Sequence, residues 1–280
     1  MNPPIEGSNA FSLGVWCEHL GPTEVEKLLP DLSRAGVRLH LSIPATSAAS
    51  DYDRLFEECR KLGIELWAWP LLSESDGYWP NASNASLFAD RVKVLLDHWS
   101  GTGVLPAGIS VDFEPSLDRL RQYLRLIETR DWRALWRTLK AQAALDMEPA
   151  LQIYDRLTHE LRSKGVAIHA VTTPFVLDDL ELGSWSVRSM LGLPLRPESY
   201  DWVSFMAYRS EYERWLGHLG WALARDTARR ARGALGGRAG LDVGVVGDIT
   251  FPHLIRGMAH LAEVQAELQA ARSEGQFGPS

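Results

Sequence analysis

The feature that most constrains the fold is a regular alternation of short apolar runs with longer segments of helical period. Several of the helical segments end at a glycine, which is typical of a helix C-cap. Parallel strands joined by helical crossovers form a sheet covered on both faces, so the pattern predicts an α/β fold. The predicted strands, rich in Val, Ile, Leu and Trp, span 11–16, 37–43, 64–72, 107–115, 166–174, 200–209 and 241–248.

Seven strand–helix repeats favour a closed barrel over an open doubly wound sheet, because no GxGxxG motif follows the first strand. We predict a triosephosphate isomerase (TIM) (β/α)8-type barrel whose eighth strand is absent before Ser280 or displaced. A chain of 280 residues suits one domain. We place a flexible N-terminal segment at 1–10 and the barrel domain at 11–280.

Three further expectations concern the connections between strands. The region 117–164 is predicted to be helical, with turn signals near Asp131 and near Glu148-Pro149. The Gly-, Pro- and Ser-containing stretch 175–199 is predicted to be a loop. Helices are predicted at 212–235 and at 252–273.

Charge and hydropathy argue against two classes of partner. The chain has 29 Lys and Arg against 36 Asp and Glu, a net charge of −7, so we expect no nucleic-acid partner. The N-terminus lacks the basic and apolar regions of a signal peptide, and no window holds 18 uninterrupted apolar residues, so we expect no membrane partner. The expected location is cytoplasmic, or that of an exported protein whose leader was removed; the oligomeric state stays open.

The cysteine and histidine pattern predicts no metal and no cofactor. Only Cys17 and Cys59 are present, without a CxxC motif and without histidines at ligand spacing. We expect both to be buried free thiols.

Two carboxylates close the fourth predicted strand, in the segment AGISVDFEPS at 107–116. Side chains at alternate positions of a strand share a face, so Ser110, Asp112 and Glu114 point one way and the apolar residues between them point the other way. We expect the polar face to line the barrel axis and to end at the C-terminal rim, where barrel active sites lie, with Pro115 ending the strand. The structural alternative is a carboxylate that caps the next helix or pairs with an arginine.

Such a pair of carboxylates suits acid–base chemistry. Asp112 and Glu114 would lie roughly 6 to 7 Å apart, so an ionised Asp112 would raise the pKa of Glu114. A glutamic acid that stays protonated near neutral pH can act as a general acid.

Tryptophan is unusually abundant, with eleven residues in the chain. Aromatic faces at the rim of a barrel can pack against sugar rings, although simple core packing is the alternative for each of them. The predicted rim set is Trp16, Trp67, Trp69, Trp79 and Trp185. The remaining tryptophans considered lie at helical positions and are predicted to be core residues, namely Trp99, Trp132, Trp136, Trp215 and Trp221.

Other polar residues also fall near predicted strand ends. Glu18 and His19 follow the first strand and Asp248 ends the seventh, so Glu18 and Asp248 are candidate substrate contacts and Glu18 a candidate second acid. His169 and Thr173 share a face of the fifth strand, but a lone histidine in a strand is more often a hydrogen-bonded core residue.

The segments GISVDFEP and WVSFMAYR resemble the family 18 glycoside hydrolases, the chitinase type. That family carries DxxDxDxE on its fourth strand and MxYD on its sixth. The last Asp and the Glu of the first motif fall on Asp112 and Glu114, and the Met and Tyr of the second fall on Met206 and Tyr208. The order of the motifs matches along the whole chain, and about four side chains carry the resemblance.

The chain also departs from the family pattern at three positions. Ala107 replaces the first Asp, Ser110 replaces the middle Asp, and Arg209 replaces the Asp after Tyr208. In the family the middle Asp shares charge with the Asp beside the acid, so Ser110 leaves Asp112 without that partner. Arg209 would bind an acidic sugar or neutralise Glu114.

The resemblance implies substrate-assisted hydrolysis of a β-linked, N-acetylated polysaccharide or glycan. Glu114 would protonate the glycosidic oxygen while the 2-acetamido oxygen of the substrate attacks the anomeric carbon. Asp112 would hold the acetamido N–H and Tyr208 its carbonyl. Ser110, Met206 and Arg209 would contact the substrate around these groups, although core packing is the alternative for Met206.

Three hypotheses of function remain open at this point. The first is a glycoside hydrolase with Glu114 as acid, and the second is a non-catalytic carbohydrate-binding barrel. The third is a metal-dependent barrel enzyme that uses Asp112, Glu114, Glu18 or Asp248 as oxygen ligands.

Overall fold

Seven parallel strands follow one another around a single sheet, in the order of the chain. In a computed structural model of the protein, the structure describes residues 13–208, 220–244, 265, 266, 268 and 269. The strands within these ranges are β1 (Gly14–Cys17), β2 (Arg38–Ile43), β3 (Leu66–Pro70), β4 (Gly108–Phe113), β5 (Ala167–Thr172), β6 (Trp202–Met206) and β7 (Ala239–Asp242). The predicted α/β barrel is confirmed.

The barrel is open between its first and last described strands. Neighbouring strands pair from β1 to β7, and no backbone pairing joins β7 to β1 among the described residues. The sheet nevertheless curls until side chains of these two strands meet, because the Trp16 indole N–H donates a hydrogen bond to Asp242 Oδ1 at 3.2 Å. The described chain is therefore an α/β barrel without a closed eighth strand.

Helices cover the outer face of the sheet. Their bounds are α1 (Pro22–Ala35), α2 (Asp53–Lys61), α3 (Ala85–Thr102), α4 (Leu117–Glu128), α5 (Trp132–Ala143), α6 (Glu148–Ser163), α7 (Val176–Leu182), α8 (Ser186–Leu191) and α9 (Gly220–Leu235). The turn signals between 117 and 164 are correct, since Asp131 caps α5 by accepting the Ala134 N–H at 3.0 Å and Glu148 begins α6. None of the described helices is both long and apolar enough to cross a lipid bilayer.

Two sequence-based boundaries need correction. The predicted loop 175–199 contains α7 and α8, which are each only two turns or fewer and so leave little periodic signal. The last described strand ends at Asp242, six residues before the predicted end at Asp248. Asp248 lies outside the described residues, as does most of the helix predicted at 252–273.

The core lies between the sheet and the helices. On β4 the apolar residues Ile109, Val111 and Phe113 are buried in this layer, as the alternation predicts. The Phe113 ring packs edge-on against Tyr154 of α6, with 4.9 Å between ring centroids. The opposite face of β4 is thereby turned toward the barrel axis. Cys59 is buried and Cys17 half-buried, and both are free thiols.

Candidate functional site

The lower end of the barrel interior is filled by aromatic rings around an arginine. The Arg38 guanidinium carbon lies 5.1 Å from the centroid of Trp67 and 5.3 Å from that of Trp202, and Arg38 Nε donates to Glu65 at 2.8 Å. Cation–π contacts of this kind stabilise a partly buried arginine. This layer lies where the strands begin, because Trp67 pairs in register with Gly108, the first residue of β4.

Trp67 is therefore not a sugar platform at the rim, and that prediction is wrong. Its side chain is 2% exposed, and it packs over Gly108, where an added Cβ would lie 2.3 Å from the ring. Strand alternation correctly places Trp67 and Trp69 on one face, but it does not reveal that Trp67 sits at the closed end of that face.

The middle layer consists of two histidine–serine pairs. His40 Nδ1 lies 2.8 Å from Ser110 Oγ, and His169 Nε2 lies 2.7 Å from Ser204 Oγ. The two imidazole rings are 5.3 Å apart. Ser110, predicted as a substrate contact, is fully buried beneath Asp112 and bonded to His40, so any effect it has on a substrate is indirect.

Both histidines are held neutral. Burial pushes the pKa of His40 well below its usual range, and the nearby His169 and Arg38 act in the same direction. Burial also lowers the pKa of His169 to about 3, with a further contribution from Arg38. An uncharged layer therefore separates the Arg38 end of the barrel from the acidic end.

Carboxylates gather in the upper layer, at the C-terminal ends of the strands. Asp112 is buried, and its Oδ1 has no hydrogen-bond partner in the described part of the chain. Asp242 of β7 accepts the Trp16 N–H with Oδ1, whereas its buried Oδ2 has no partner there. Glu18, just after β1, accepts the Tyr78 hydroxyl with Oε1 at 2.7 Å.

The pKa values of both buried aspartates in this layer are raised. Burial raises the pKa of Asp112 well above its usual range, and the charges of Asp242 and Glu18 raise it further. Burial raises the pKa of Asp242 to about 7, while the hydrogen bond from Trp16 opposes that shift. Buried carboxyl groups whose pKa values are raised by burial and by neighbouring charge are typical of functional sites.

Tyr78 reaches this layer from a strained backbone position. Its φ is 64°, a left-handed conformation that is uncommon for a bulky residue. Backbone hydrogen bonds hold it there, from Tyr78 N–H to the Ser73 carbonyl and from Leu72 N–H to the Tyr78 carbonyl. Burial and the neighbouring Glu18 carboxylate raise the pKa of Tyr78, so the hydroxyl keeps its proton and donates a hydrogen bond to Glu18.

Aromatic rings surround the acids. Trp16 stacks on His40 at 4.3 Å and meets Trp69 edge-on at 5.1 Å. Trp69 and Trp79 belong to an apolar cluster with Leu71 and Leu117. Trp69 is buried, and its indole N–H has no acceptor among the described residues.

The other predicted site residues lie around this layer. Glu114 follows Asp112 by two positions and is half-buried. Met206 is buried and pairs in register with Asp242, and Tyr208 follows it, half-buried. Arg209 lies outside the described residues, as Asp248 does.

The helical tryptophans do not all behave as predicted. Trp99 is fully buried, but Trp132 and Trp136 are 57% and 51% exposed, so their assignment to the core is wrong. Their i, i+4 spacing shows that the two rings share one face of a helix, but it does not show whether another element covers that face. Trp185 precedes α8 and stacks on Arg188, 3.6 Å from the guanidinium carbon. Trp215 lies outside the described residues, and the Trp221 side chain is not described.

Sequence reasoning missed Asp242, His40 and Tyr78. Asp242 falls inside the predicted seventh strand, and its inward position depends on the register with β6, which the sequence does not show. His40 lies on the inward face of β2, which strand alternation could have indicated. No local pattern marks Tyr78, because its position depends on the loop conformation.

Among the described residues, neither a cluster of metal-ligating side chains nor a surface cleft near α3 accounts for the acids. Within the described ranges, no three His, Cys, Asp or Glu side chains are placed to hold a metal ion together. A cleft of about 630 Å³ lies between the loop after β3 and the first turns of α3, α4 and α6, and the acids of the upper layer do not line it.

Comparison with known proteins supports the barrel fold. A scan against protein-family models gave no match, and a search of curated proteins also gave none. Among solved structures, the chain is similar to the PgaB (BpsB) glycoside hydrolase domain from Bordetella bronchiseptica, with 11% identity, a TM-score of 0.56 and coverage of 95% of this chain and 92% of that one. The similarity shows a shared fold with a glycoside hydrolase domain.

Two further solved structures are similar at lower TM-scores. A xylose isomerase domain protein from Planctomyces limnophilus has 13% identity and a TM-score of 0.45, over 96% of this chain and 89% of that one. An endo-β-mannanase/endo-β-glucanase from Prevotella bryantii has 7% identity and a TM-score of 0.47, over 95% of this chain and 42% of that one.

Proposed function

We propose that the chain is a glycoside hydrolase that cleaves a β-linked polysaccharide or glycan, with N-acetylated sugars as the substrate class. The observation that carries this proposal is a set of unpaired polar atoms in the upper layer of the barrel. Asp112 Oδ1, Asp242 Oδ2 and the Trp69 indole N–H are buried and have no partner in the described chain. Buried polar groups are normally hydrogen-bonded, and a sugar supplies both donors and acceptors.

The proposed reaction divides the work between two residues of β4 and one that follows β6. Glu114 donates a proton to the glycosidic oxygen as the bond to the anomeric carbon breaks, and the acetamido oxygen of the substrate forms the new bond to that carbon. Asp112 accepts a hydrogen bond from the acetamido N–H, and the Tyr208 hydroxyl donates one to the acetamido carbonyl. Water then attacks the anomeric carbon, the bond from that carbon to the acetamido oxygen breaks and restores the acetamido group, and Glu114 recovers a proton from the water.

Aromatic side chains give the sugar its apolar contacts. Trp16 and Trp69 meet at a right angle beside the acids, and Trp79 belongs to the same cluster as Trp69. Flat rings arranged in this way can pack against the C–H faces of a pyranose while hydroxyl groups bond to the carboxylates. Met206 adds an apolar contact at the end of β6, and Glu18 with Tyr78 bounds the site on the β1 side.

The fold is compatible with this proposal but does not by itself decide it. Barrels of this kind carry many chemistries, and their active sites lie at the C-terminal ends of the strands. The PgaB (BpsB) domain, which shares the fold, is a glycoside hydrolase domain, and that lends support to hydrolysis here.

The direct test is the variant Glu114→Gln, assayed for release of reducing ends from N-acetylglucosamine oligomers. Removing a general acid lowers the rate by about 10²–10⁴-fold. We expect the variant to lose turnover to that extent and still bind the oligomer. Glu198→Gln is the matched control, because Glu198 is exposed in a short 3-10 turn before β6, at the opposite end of the strands. Full turnover in Glu114→Gln would contradict the assignment.

A specific observation favours a second candidate, a non-catalytic carbohydrate-binding barrel. Ser110, where the chitinase-type motif carries its middle Asp, is bonded to His40 and supplies no charge to Asp112. Binding of oligosaccharides with no turnover in the unmodified protein would establish this candidate in place of hydrolysis.

A further inference from the structure

The helix α5 is an addition to the barrel. Three helices join β4 to β5, and the last of them, α6, packs on the sheet through the contact between Tyr154 and Phe113. The helix α5 packs instead on its neighbours α4 and α8. Its inner face carries the buried Gln142, whose amide nitrogen would lie 2.8 Å from a Cβ added at Gly192, the residue that ends α8. The outer face of α5 is therefore the side opposite Gln142.

Two large indoles of α5 are open to solvent. Trp132 and Trp136 are 57% and 51% exposed, and they lie side by side because they are about one turn apart. Tryptophan is highly buried on average in folded proteins. Its apolar ring with a polar N–H edge favours a boundary between apolar and aqueous surroundings. Packing within this chain does not account for the pair.

Cations lie beside the indoles on the outer face. Arg133 precedes Gln142 by about two and a half turns and so lies opposite it, and Arg137 and Lys140 follow Arg133 by about one and two turns. All three are exposed, and none forms an ion pair within the described part of the chain. The Lys140 ammonium lies 5.8 Å from the centroid of the Trp136 ring. We call these residues the basic aromatic face: Trp132, Arg133, Trp136, Arg137 and Lys140.

The local charge of this segment is opposite in sign to that of the whole chain. Positions 130 to 143 hold four Lys and Arg against one acid, Asp131, which leaves a local charge of +3, whereas the chain carries −7. The Asp131 carboxylate accepts the Ala134 N–H at the start of α5. Attraction of an anionic partner is therefore a property of this face and not of the molecule as a whole.

The size and charge of the basic aromatic face favour a lipid surface over a folded protein. The two indoles offer roughly 250 Å² of apolar area, whereas stable protein–protein interfaces bury about 1,200 Å² or more in total. A second copy of the same face would bring like charges together. A bilayer interface, in contrast, accepts single indoles at the level of the headgroups, and anionic headgroups attract Lys and Arg.

We propose that the basic aromatic face is a docking surface for a bilayer that contains anionic phospholipids. Trp132 and Trp136 insert between the headgroups, and the three cations bind phosphate oxygens. Such a contact needs neither a signal peptide nor a spanning helix, so the sequence features that argue against a membrane partner do not bear on it. The inference is independent of the proposed function, because no residue of the acidic end takes part.

Sedimentation of the whole chain with lipid vesicles tests the proposal. Vesicles of phosphatidylcholine are compared with vesicles that also hold about 30% phosphatidylglycerol. We expect binding to the anionic vesicles at low salt, little binding to phosphatidylcholine alone, and weaker binding as salt rises. Trp132→Ala/Trp136→Ala should lower the partition coefficient by about tenfold or more. Equal binding to both kinds of vesicle, or undiminished binding of this variant, would overturn the proposal.

The variant Arg133→Gln/Arg137→Gln tests the charge separately. Each cation near an anionic bilayer contributes about fivefold in affinity, so this variant should bind about 30-fold more weakly. The matched control is Arg60→Gln/Arg156→Gln, which removes the same charge from α2 and α6, where both arginines are exposed and outside any ion pair of the described chain. We expect the control to bind as the native protein does. Equal losses in the two variants would show that overall charge drives binding and would overturn the proposal.

Other occupants of the face give different results. All of the substituted side chains are exposed, so thermal unfolding should give native midpoints for every variant. Absence of binding to the anionic vesicles would overturn the proposal. Self-association in light scattering that Trp132→Ala/Trp136→Ala abolishes would then assign the face to a second copy. Ordered sugar on both indoles, in a crystal soaked with oligosaccharide, would assign it to a glycan.

Discussion

At the scale of single residues, the histidine–serine pairs explain how polar side chains fill the barrel without charge. His40 bonds to Ser110, and His169 bonds to Ser204, so one nitrogen of each ring has a partner deep in the interior. The other ring nitrogen of His169, Nδ1, is buried and has none in the described chain. A second proton on either ring would place an uncompensated charge among apolar neighbours and above Arg38, which accounts for the lowered pKa values.

This arrangement predicts a loss of stability in acid that depends on His169. The unfolded chain protonates this residue near pH 6.5, whereas the folded chain protonates it near 3, so its contribution to stability is complete above pH 6.5 and is lost as the pH falls between those values. Relative to His169→Gln, the native protein should lose up to about 1.4 kcal/mol of unfolding free energy per pH unit in that window.

Chemical denaturation of both proteins at pH 7.5, 6 and 5 measures this difference, and the comparison cancels the opposite effect of Asp112 and Asp242. Those acids have raised pKa values, so the folded protein takes up protons at higher pH than the unfolded chain and gains stability as the pH falls. A constant difference between native protein and His169→Gln would contradict the account of a neutral, buried imidazole.

At the scale of elements, β3 and β4 fit together because β4 has a glycine where a tryptophan of β3 packs against it. Trp67 of β3 lies over Gly108 of β4, and the same indole stacks with Arg38 and meets Trp202 at 5.4 Å. The glycine is needed for close approach of the ring, since it is not among the residues with a positive φ. The lower layer of the barrel therefore depends on one large and one minimal side chain at paired positions.

Gly108→Ala should be destabilising for this reason. Its Cβ would lie 2.3 Å from a buried indole that is fixed on both sides, and overpacking of this kind costs about 1–3 kcal/mol. Thermal or denaturant unfolding measures the effect, and Gly101→Ala is the matched control. Gly101 is in α3 with open space around it, so alanine there should stabilise the protein by about 0.5–1 kcal/mol. An unchanged midpoint for Gly108→Ala would show that the packing of Trp67 differs from that described.

The elements also show what the sequence could and could not predict. All seven described strands were found, because strands buried on both faces give apolar runs that stand out between helices. The ends of the strands were harder to predict, because an apolar run can continue past the last residue that pairs with the neighbouring strand. For example, β7 ends at Asp242 and not at Asp248. Short helices such as α7 and α8 offer too few residues for a period to be recognised.

At the scale of the whole molecule, the barrel is divided along its axis into a cationic end, a neutral middle and an acidic end. Arg38 lies at the first, the two imidazoles at the second, and Asp112 with Asp242 at the third. Asp242 also lies next to the opening between β1 and β7, which the Trp16–Asp242 hydrogen bond spans. Charge separation along the axis keeps the buried acids away from the cation that would otherwise neutralise them.

Only the part of the candidate site that lies on a single strand could be predicted from the sequence. Alternation along β4 correctly puts Ser110 and Asp112 on the inward face. The charge of Asp242 acts on the pKa of Asp112 from a position 130 residues away in the chain, and the Tyr78–Glu18 hydrogen bond joins two loops. Such contacts depend on register and closure, which a single sequence does not contain.

The central claim is that the acidic end of the barrel is a sugar-binding site, and the most direct measurement is a crystal structure of Glu114→Gln soaked with chitin-derived, cellulose-derived and galactosamine-containing oligomers. We predict density for one sugar class between Asp112 and Trp69, with an acetamido nitrogen within hydrogen-bond distance of Asp112. An acidic end without sugar, together with ordered sugar elsewhere, as on the exposed Trp132 and Trp136, would contradict the account.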